Sequence, residues 1–557
     1  MIADRLLRGG IASIGFLARD RVRSGLDALL PRRRVLAVLR EQWARPGTKN
    51  ERSAGRYFRL VRHHFADACV DERTWHDLEF PRLFSLVDTT VTPLGSQLLF
   101  RRMREYIDDP GALAARHALY GQLREQAALR ERIQLKLMPL KDEAHGRIAD
   151  ALLGDELALP PHRGLVYLWS LLSVAVLVAT IVWSWPVWIW AAMLAVNGIV
   201  LYRAYWSTLH DISTLKGCVQ MLQVAEQLAP LHAAHPWCTP LVRLHEQRGH
   251  RVQAGRALGL MALLKQPVVS LVVVWLNLAF LLELVVHLRS VSRFVGLRAR
   301  LVPTFEALGE IDAAIAVASF LASRPLHCRP TIADDARLEI DAGCHPLLAD
   351  GVANTIRLER RSLLVTGSNM AGKTTFVKMV GSNAILGRTL GFCLASRAVL
   401  PPRPVMAAIH GMHSVASGKS HYFAEIEAIH AFLDKATQES GCVFLIDEPF
   451  SGTNTVERVA IARAVLERLG EASLVLVTTH DVELQDVLGA RYALCHFQED
   501  PDVEGFFDYR LRPGPATERN AIRLLARVNF PPAVVASAMA HARDPGPSQP
   551  PIDRPCI

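Results

Sequence analysis

The nine cysteines of this 557-residue chain include no CxxC pair, which argues against a disulfide framework and against a zinc site and suits a reducing compartment. Charge of one sign is nowhere gathered into a long block. The 63 Lys+Arg and 54 Asp+Glu leave +9, spread along the chain, an excess compatible with DNA, with an anionic membrane face or with no specific partner. The start, MIADRLLRGGIASIGFLARDRVRSGLDALLPRRRVL, lacks the unbroken apolar core and small-residue cleavage site of a secretory signal, so export is not expected. Its arginines alternate with Ile, Phe and Leu, the pattern of an amphipathic helix, either laid on anionic lipid or solvated. With half the residues apolar, a disordered or collagen-like chain is excluded, and the length suits about three or four compact units.

Charge is missing altogether from Leu165 to Trp183 (LVYLWSLLSVAVLVATIVW). As a helix these residues would measure about 28 Å, close to a bilayer core of about 30 Å. After the break at Ser184-Trp185-Pro186, Val187 to Tyr205 is apolar apart from Asn197 and Arg203, and Trp183, Trp185, Trp188 and Trp190 gather about the turn. Tryptophans at one level with Arg163 and Arg203 at the other predict a transmembrane hairpin with both ends in the cytoplasm, placing the chain at the cytoplasmic membrane with lipid as a partner. A third apolar run, Pro267 to Leu288, is interrupted by Asn277, Glu283 and His287. It reads either as a segment lying against or partly in the membrane or as a buried helix, and a full third crossing would place one flank on the wrong side.

The rest divides by pattern. Residues 1–74 form a basic helical region, and 75–160 continue helical, with Pro110 to Lys141 showing apolar positions at three- and four-residue spacing. The hairpin occupies 161–206, and a second helical part, 207–325, contains the uncertain run 267–288. From about Leu338 short apolar runs alternate with helical patterns, as in a parallel α/β sheet, and 326–540 is taken as that unit. The Pro-rich tail 541–557 is expected to be disordered.

The chemistry lies in the α/β unit. Ser362 to Thr366 (SLLVT) reads as a buried strand running into Gly367-Ser368-Asn369-Met370-Ala371-Gly372-Lys373-Thr374-Thr375, a complete GxxxxGK[ST] loop followed by a helical pattern. The two glycines let the backbone curl so that N–H groups face anionic oxygens, Lys373 brings a positive charge to the terminal phosphates, and Thr374 offers a hydroxyl to Mg²⁺. A second strand, Cys442 to Ile446, ends in Asp447-Glu448, a carboxylate for the metal beside one that orients or deprotonates water. A third, Ser473 to Val477, delivers Thr478-Thr479-His480-Asp481, where His480 could sense the γ-phosphate or the polarised water. The set predicts Mg²⁺-dependent ATP hydrolysis.

Together GSNMAGKTT, HSVASGKSHYFAEIEAI (His413 to Ile429), LIDEPFSGTNTVER (Leu445 to Arg458) and TTHDVEL (Thr478 to Leu484) resemble, in order and spacing, the ATPase domain of the MutS family of DNA mismatch repair proteins. HPLL (His345 to Leu348), Asn354 and CRP (Cys328 to Pro330) are similar to its lead-in, PGPATERNAIRLLARVNFP (Pro513 to Pro531) to its C-terminal helical dimerisation region, and LFSLVDTTVTPLGSQLLFRRM (Leu83 to Met103) to the start of the helical lever. The expected fold is therefore a P-loop NTPase domain of MutS/ABC type, C-terminal to a mostly α-helical lever region that carries the hairpin. The resemblance implies a homodimer through the ATPase domain, with Ser417, Gly418 and Ser420 completing the partner's site.

The resemblance also has gaps. About 75 residues precede the lever-like segment, where the family places its mismatch-reading and connector domains, and the one Phe-x-Glu, Phe423-Ala-Glu425, lies inside the ATPase signature. Where the levers rise to a DNA clamp, this chain has its apolar hairpin. Mismatch reading is thus not expected, and two roles stand: a membrane-anchored ATPase that engages DNA, or one that acts on a protein or lipid partner without DNA. Half of an ABC transporter fits less well, since the signature reads ASGKS without paired glycines.

Overall fold

The computed structural model describes residues 32–65, 68–154, 163–264, 275–359, 361–409, 421–481, 483–498, 507–515 and 530–543. The chain separates into two compact units, the first built from residues 1–67, 81–105 and 114–325 and the second from 68–80, 106–113 and 326–557. The second unit, which holds the expected ATPase region, thus also takes in two short upstream segments.

Described residues of the first unit are helical. Its spine is the 41-residue helix Leu282–Ala322, which buries Leu301, Phe305, Leu308, Ile311 and Ile315. Pro93–Arg104 packs closely on it at two glycines: a Cβ on Gly309 would come within 2.7 Å of the Leu94 carbonyl, and one on Gly95 would run into Asp312. Asp312 is fully buried and accepts hydrogen bonds from the Val91 N–H (3.0 Å), the Thr92 N–H (2.8 Å) and the Thr92 hydroxyl (2.7 Å). Thr92 in turn caps Pro93–Arg104, accepting from the Gly95 N–H at 3.0 Å, with Pro93 at the first helical position. The lever-like sequence DTTVTPLG is therefore a cap held from a neighbouring helix.

The apolar hairpin is present as two helices. Arg163–Val182 is the one helix among the described residues long and apolar enough to cross a membrane, and only 17% of its most apolar stretch is buried. Val187–Leu228 continues far past its apolar first part, Val187–Arg203. The third apolar run is described from Trp275 onward. It is broken at Leu281, which takes a left-handed conformation (φ +54°) between a short helical segment and the spine. A broken helix end leaves carbonyls without partners, and here the hairpin supplies them. The Asn197 amide donates to the Leu278 and Ala279 carbonyls, each at 3.0 Å, the Ser170 hydroxyl donates to that of Phe280 at 2.6 Å, and the Trp169 indole N–H holds Asn197 from its other side at 2.8 Å. Leu281, Leu284 and Leu288 share one apolar cluster with Val166, Tyr167, Trp169, Val200 and Leu201. From Leu278 onward the run is thus packed against the hairpin, whereas Trp275 is exposed, and the Asn277 side chain donates to the Glu283 carboxylate and accepts the Glu283 N–H.

The second unit is α/β. Its strands are β1 (Thr331–Ile332), β2 (Leu338–Gly343), β3 (Asn354–Leu358), β4 (Ser362–Thr366), β5 (Arg397–Leu400), β6 (Val405–Ala408), β7 (Val443–Asp447), β8 (Leu474–Thr478), β9 (Tyr492–His496) and β10 (Arg512–Pro513). A six-stranded sheet runs β10-β9-β4-β8-β7-β6, parallel except for β10, and a smaller one runs β1-β5-β2-β3. Every residue of β4, β7 and β8 is buried, which explains why they read as unbroken apolar runs: helices cover both faces of a parallel sheet. The β6 edge is closed by the upstream segments. Thr74 Oγ1 accepts from the Ala407 N–H (2.9 Å), the Asp77 carboxylate from that of Ile409 (2.9 Å), and the Tyr106 hydroxyl from that of Val405 (3.2 Å).

Asp312→Ala would leave buried N–H groups of Val91 and Thr92 without an acceptor, each costing about 1–3 kcal/mol. A lowered melting temperature with the helical circular dichroism retained at low temperature is expected; an unchanged melting temperature would remove Asp312 from its place as the cap.

Candidate functional site

The loop after β4 is shaped by two glycines in backbone conformations that other residues rarely adopt, Gly367 at φ +135° and Gly372 at φ +97°. At Gly367 there is also no room, since a Cβ would meet the Phe497 carbonyl at 2.5 Å. Between them Asn369–Ala371 make a single 3₁₀ turn, and Gly372 opens the helix Lys373–Thr389. The helix N-terminus and the curled loop have the form that suits an anion, as the sequence pattern calls for. Ala371 is buried, Ser368 half-buried, and Met370 and Thr375 are exposed.

Lys373 is almost fully buried, a costly place for an ammonium unless it is paired. Its Nζ donates to the Gly367 carbonyl at 2.7 Å and lies 3.1 Å from Glu448 Oε1. The Thr374 hydroxyl donates to Asp447 Oδ2 at 2.7 Å, and the other Asp447 oxygen accepts from the Thr478 hydroxyl. Glu448 Oε2 lies 2.6 Å from His480 Nδ1 and accepts the His480 backbone N–H at 3.2 Å. Lys373, Thr374, Asp447, Glu448 and His480, from three separated stretches of sequence, thus form one connected constellation. A hydroxyl and a carboxylate side by side at the mouth of a glycine cradle are an oxygen donor set that suits Mg²⁺. Ser417, Gly418 and Ser420 lie outside the described residues.

The sheet explains the convergence. In parallel register Asp447 stands opposite Thr478, and Val365 opposite Thr478 on the other side of β8. The C-terminal ends of β4, β8 and β7 therefore lie side by side, at the sheet edge where α/β folds bind ligands. Glu448 then leaves β7 at φ +51°, its N–H bonded to the Thr478 carbonyl at 3.0 Å. A non-glycine residue held in this region is strained, and the turn aims its carboxylate back toward Lys373 and His480.

Other supporting residues escaped the sequence reading. Thr478 was placed in its motif without a role; its bond to Asp447 follows only from strand neighbourhood. Glu425 is buried and accepts the Phe450 N–H, steadying the turn after the carboxylate pair, where Phe450 is also left-handed (φ +59°). Arg458, on the helix Thr455–Ala472, forms a two-pronged pair with Asp481 at 2.7 and 2.6 Å. Burial alone would raise the Asp481 carboxyl, but the Arg458 hydrogen bonds and charge outweigh it and hold it below its ordinary value of 3.8. The only sequence signal was an Arg and an Asp in two motifs whose spatial order was not yet known.

A carboxyl depressed in the native state contributes stability that is present above its ordinary pKa and is lost as pH falls through the native value. Arg458→Met should lower the melting temperature near neutral pH and flatten the fall in stability on acidification below about pH 4. An acid-side profile parallel to that of the wild type would contradict the role given to this pair.

Comparison with known proteins agrees with the geometry. The family model described as MutS domain V matches residues 363–544. The chain is 33% identical to the DNA mismatch repair protein MutS of Thermus aquaticus over 272 residues, which cover 46% of this chain and 33% of that protein. It is 31% identical over 251 residues to the protein of the same name from Natronomonas pharaonis, covering 43% and 29%, and 28% identical over 263 residues to DNA mismatch repair protein MutS 2 of Haloarcula marismortui, covering 41% and 27%. The chain thus spans about a third of the length of the curated relatives it matches. The phosphate-loop lysine, the threonine–aspartate pair and the glutamate–histidine pair are assembled within the segment that matches MutS domain V, so the C-terminal unit carries a domain of the MutS domain V type.

Proposed function

We propose that the chain binds ATP with Mg²⁺ and hydrolyses it to ADP and phosphate, working as a homodimer tethered to the cytoplasmic membrane by its apolar hairpin with the ATPase domain on the cytoplasmic side. The observation that carries the catalytic half is the hydrogen bond from Thr374 to Asp447 directly beside Lys373 and Glu448. It brings the residue types that phosphoryl transfer needs into one site.

Each side chain has a task that follows from its surroundings. Lys373 would exchange the Gly367 carbonyl and Glu448 for phosphate oxygens, with the loop N–H groups supporting the same charge. Thr374 and Asp447 would hold Mg²⁺, which supplies positive charge against the phosphates. Glu448 would orient and deprotonate the attacking water. His480, held by two contacts to Glu448, fixes that carboxylate and would sense the terminal phosphate. Ser417, Gly418 and Ser420 of a second copy would complete the site, so the isolated monomer should turn over slowly.

The membrane half rests on the first unit. Leu165, Leu168, Leu171, Ile181, Val182, Trp183, Val187 and Trp188 expose large apolar surfaces on the two hairpin helices, an arrangement suited to lipid and poorly suited to water. The broken third run adds to this reading, because its free carbonyls are capped by protein rather than left for solvent. The helix before it, Arg248–Leu264, and the spine after it pack on each other, so both flanks can stay on one side of the membrane without a third crossing. The relatives' names bring DNA in as a partner of the closed dimer, with the basic excess aiding phosphate contact.

Glu448→Gln should keep ATP affinity while lowering turnover by about 10²–10⁴-fold, the usual worth of a positioned general base. Nucleotide binding and phosphate release, measured on the same full-length preparation, check this. Undiminished hydrolysis would remove Glu448 as the base, and a simultaneous loss of binding would make its contact with Lys373 structural.

A further inference from the structure

An open cleft of about 410 Å³ lies in the first unit between Arg248–Leu264 and the spine Leu282–Ala322, lined by Gln253, Arg256, Ala257, Ser292, Arg293, Gly296 and Leu297. Its two guanidinium groups come from different helices, and among the described residues neither has an acidic partner. On the helix that carries Arg256, Arg248 and Arg251 share Glu226. Two like charges brought to one cleft repel each other and favour an anion between them. Arginine forks with nearby Ser and Gln hydroxyl and amide groups suit the oxygens of a phosphate. Gly296 leaves the wall open: a Cβ there would meet nothing.

The place of the cleft relative to the hairpin favours a lipid as the source of that phosphate. Leu288 shares its apolar cluster with Val166 and Leu201, which lie three and two residues from Arg163 and Arg203, the charged ends of the hairpin. Arg293 follows Leu288 by five residues, about 7–8 Å along a helix. On the membrane reading, Arg293 thus follows the apolar cluster on the side of the hairpin's charged ends, where the phosphates of the inner leaflet would lie.

We propose that Arg256 and Arg293 hold the phosphate of an anionic lipid headgroup, with Ala257 and Leu297 against its glycerol backbone. The site rests on the membrane reading given above. It would fasten the helical unit to the lipid surface through a specific contact, in addition to the non-specific burial of the hairpin.

Native mass spectrometry of the full-length protein, released from detergent micelles containing phosphatidylglycerol or phosphatidylcholine, tests the site. The wild type should retain phosphatidylglycerol at least tenfold better than phosphatidylcholine. R256Q/R293Q should lose that preference, R256K/R293K should keep part of it, and Gly296→Leu should lose it by filling the cleft with both charges intact. Unchanged melting temperatures in the variants show that loss is not unfolding. Equal retention of both lipids by the wild type, or undiminished preference in R256Q/R293Q, overturns the proposal. Displacement of the lipid by millimolar inorganic phosphate alone assigns the cleft to free phosphate, and weakened duplex DNA binding in R256Q/R293Q with lipid retention intact assigns it to a nucleic-acid backbone; both overturn it. Fractionation keeps the underlying reading separate. The double variant should remain in the membrane fraction because its hairpin is intact, whereas wild-type protein recovered from the soluble fraction contradicts the membrane reading itself.

Discussion

The parallel pairing of β4, β8 and β7 is the constraint on which the site depends. Asp447 faces Thr478 across one strand gap, and Val365, two residues before the phosphate loop, faces Thr478 across the other. From that register the Thr374–Asp447 bond, the return of Glu448 toward Lys373 and the reach of His480 to Glu448 all follow. A one-residue slip of β7 would turn the Asp447 side chain to the opposite face of the sheet, and a slip of β8 would do the same to Thr478. The buried apolar faces of these strands hold the register, so the core of the sheet is also what positions the chemistry.

The first unit solves a different problem with the same attention to backbone polarity. A helix broken against an apolar surface leaves carbonyls that need hydrogen-bond donors from within the protein. Asn197 and Ser170, polar residues in otherwise apolar helices, point at that break. Asn197 is thus the one interruption of Val187 to Arg203 that the fold requires. The same logic governs Asp312, whose fully buried carboxylate answers the free N–H groups at the start of Pro93–Arg104. Both are long-range caps, made by side chains far away in sequence.

Those caps mark the boundary of what could be read without coordinates. The phosphate loop, the Asp447-Glu448 pair and His480 were legible because each is tied to a strand end by local pattern, and phosphate chemistry restricts the residues that can serve there. The hairpin helices were legible from the absence of charge. Asn197 appeared only as a flaw in an apolar run, since the carbonyls it serves lie some eighty residues later. The Arg458–Asp481 pair and the Glu425 contact with Phe450 depend on how helices lie over the sheet, which no spacing rule reveals. The segments 68–80 and 106–113 that close the β6 edge were hidden for the same reason: helical periodicity tells which face is buried, not against what.

Equilibrium binding of ATP to the full-length chain, with and without Mg²⁺ and with Lys373→Ala as the comparison, bears most directly on the central claim that the glycine cradle grips a triphosphate. Saturable binding at one site per chain, tightened by Mg²⁺ and abolished by Lys373→Ala, is the predicted result. Absence of saturable binding at millimolar ATP, or binding indifferent to the loss of Lys373, would contradict it.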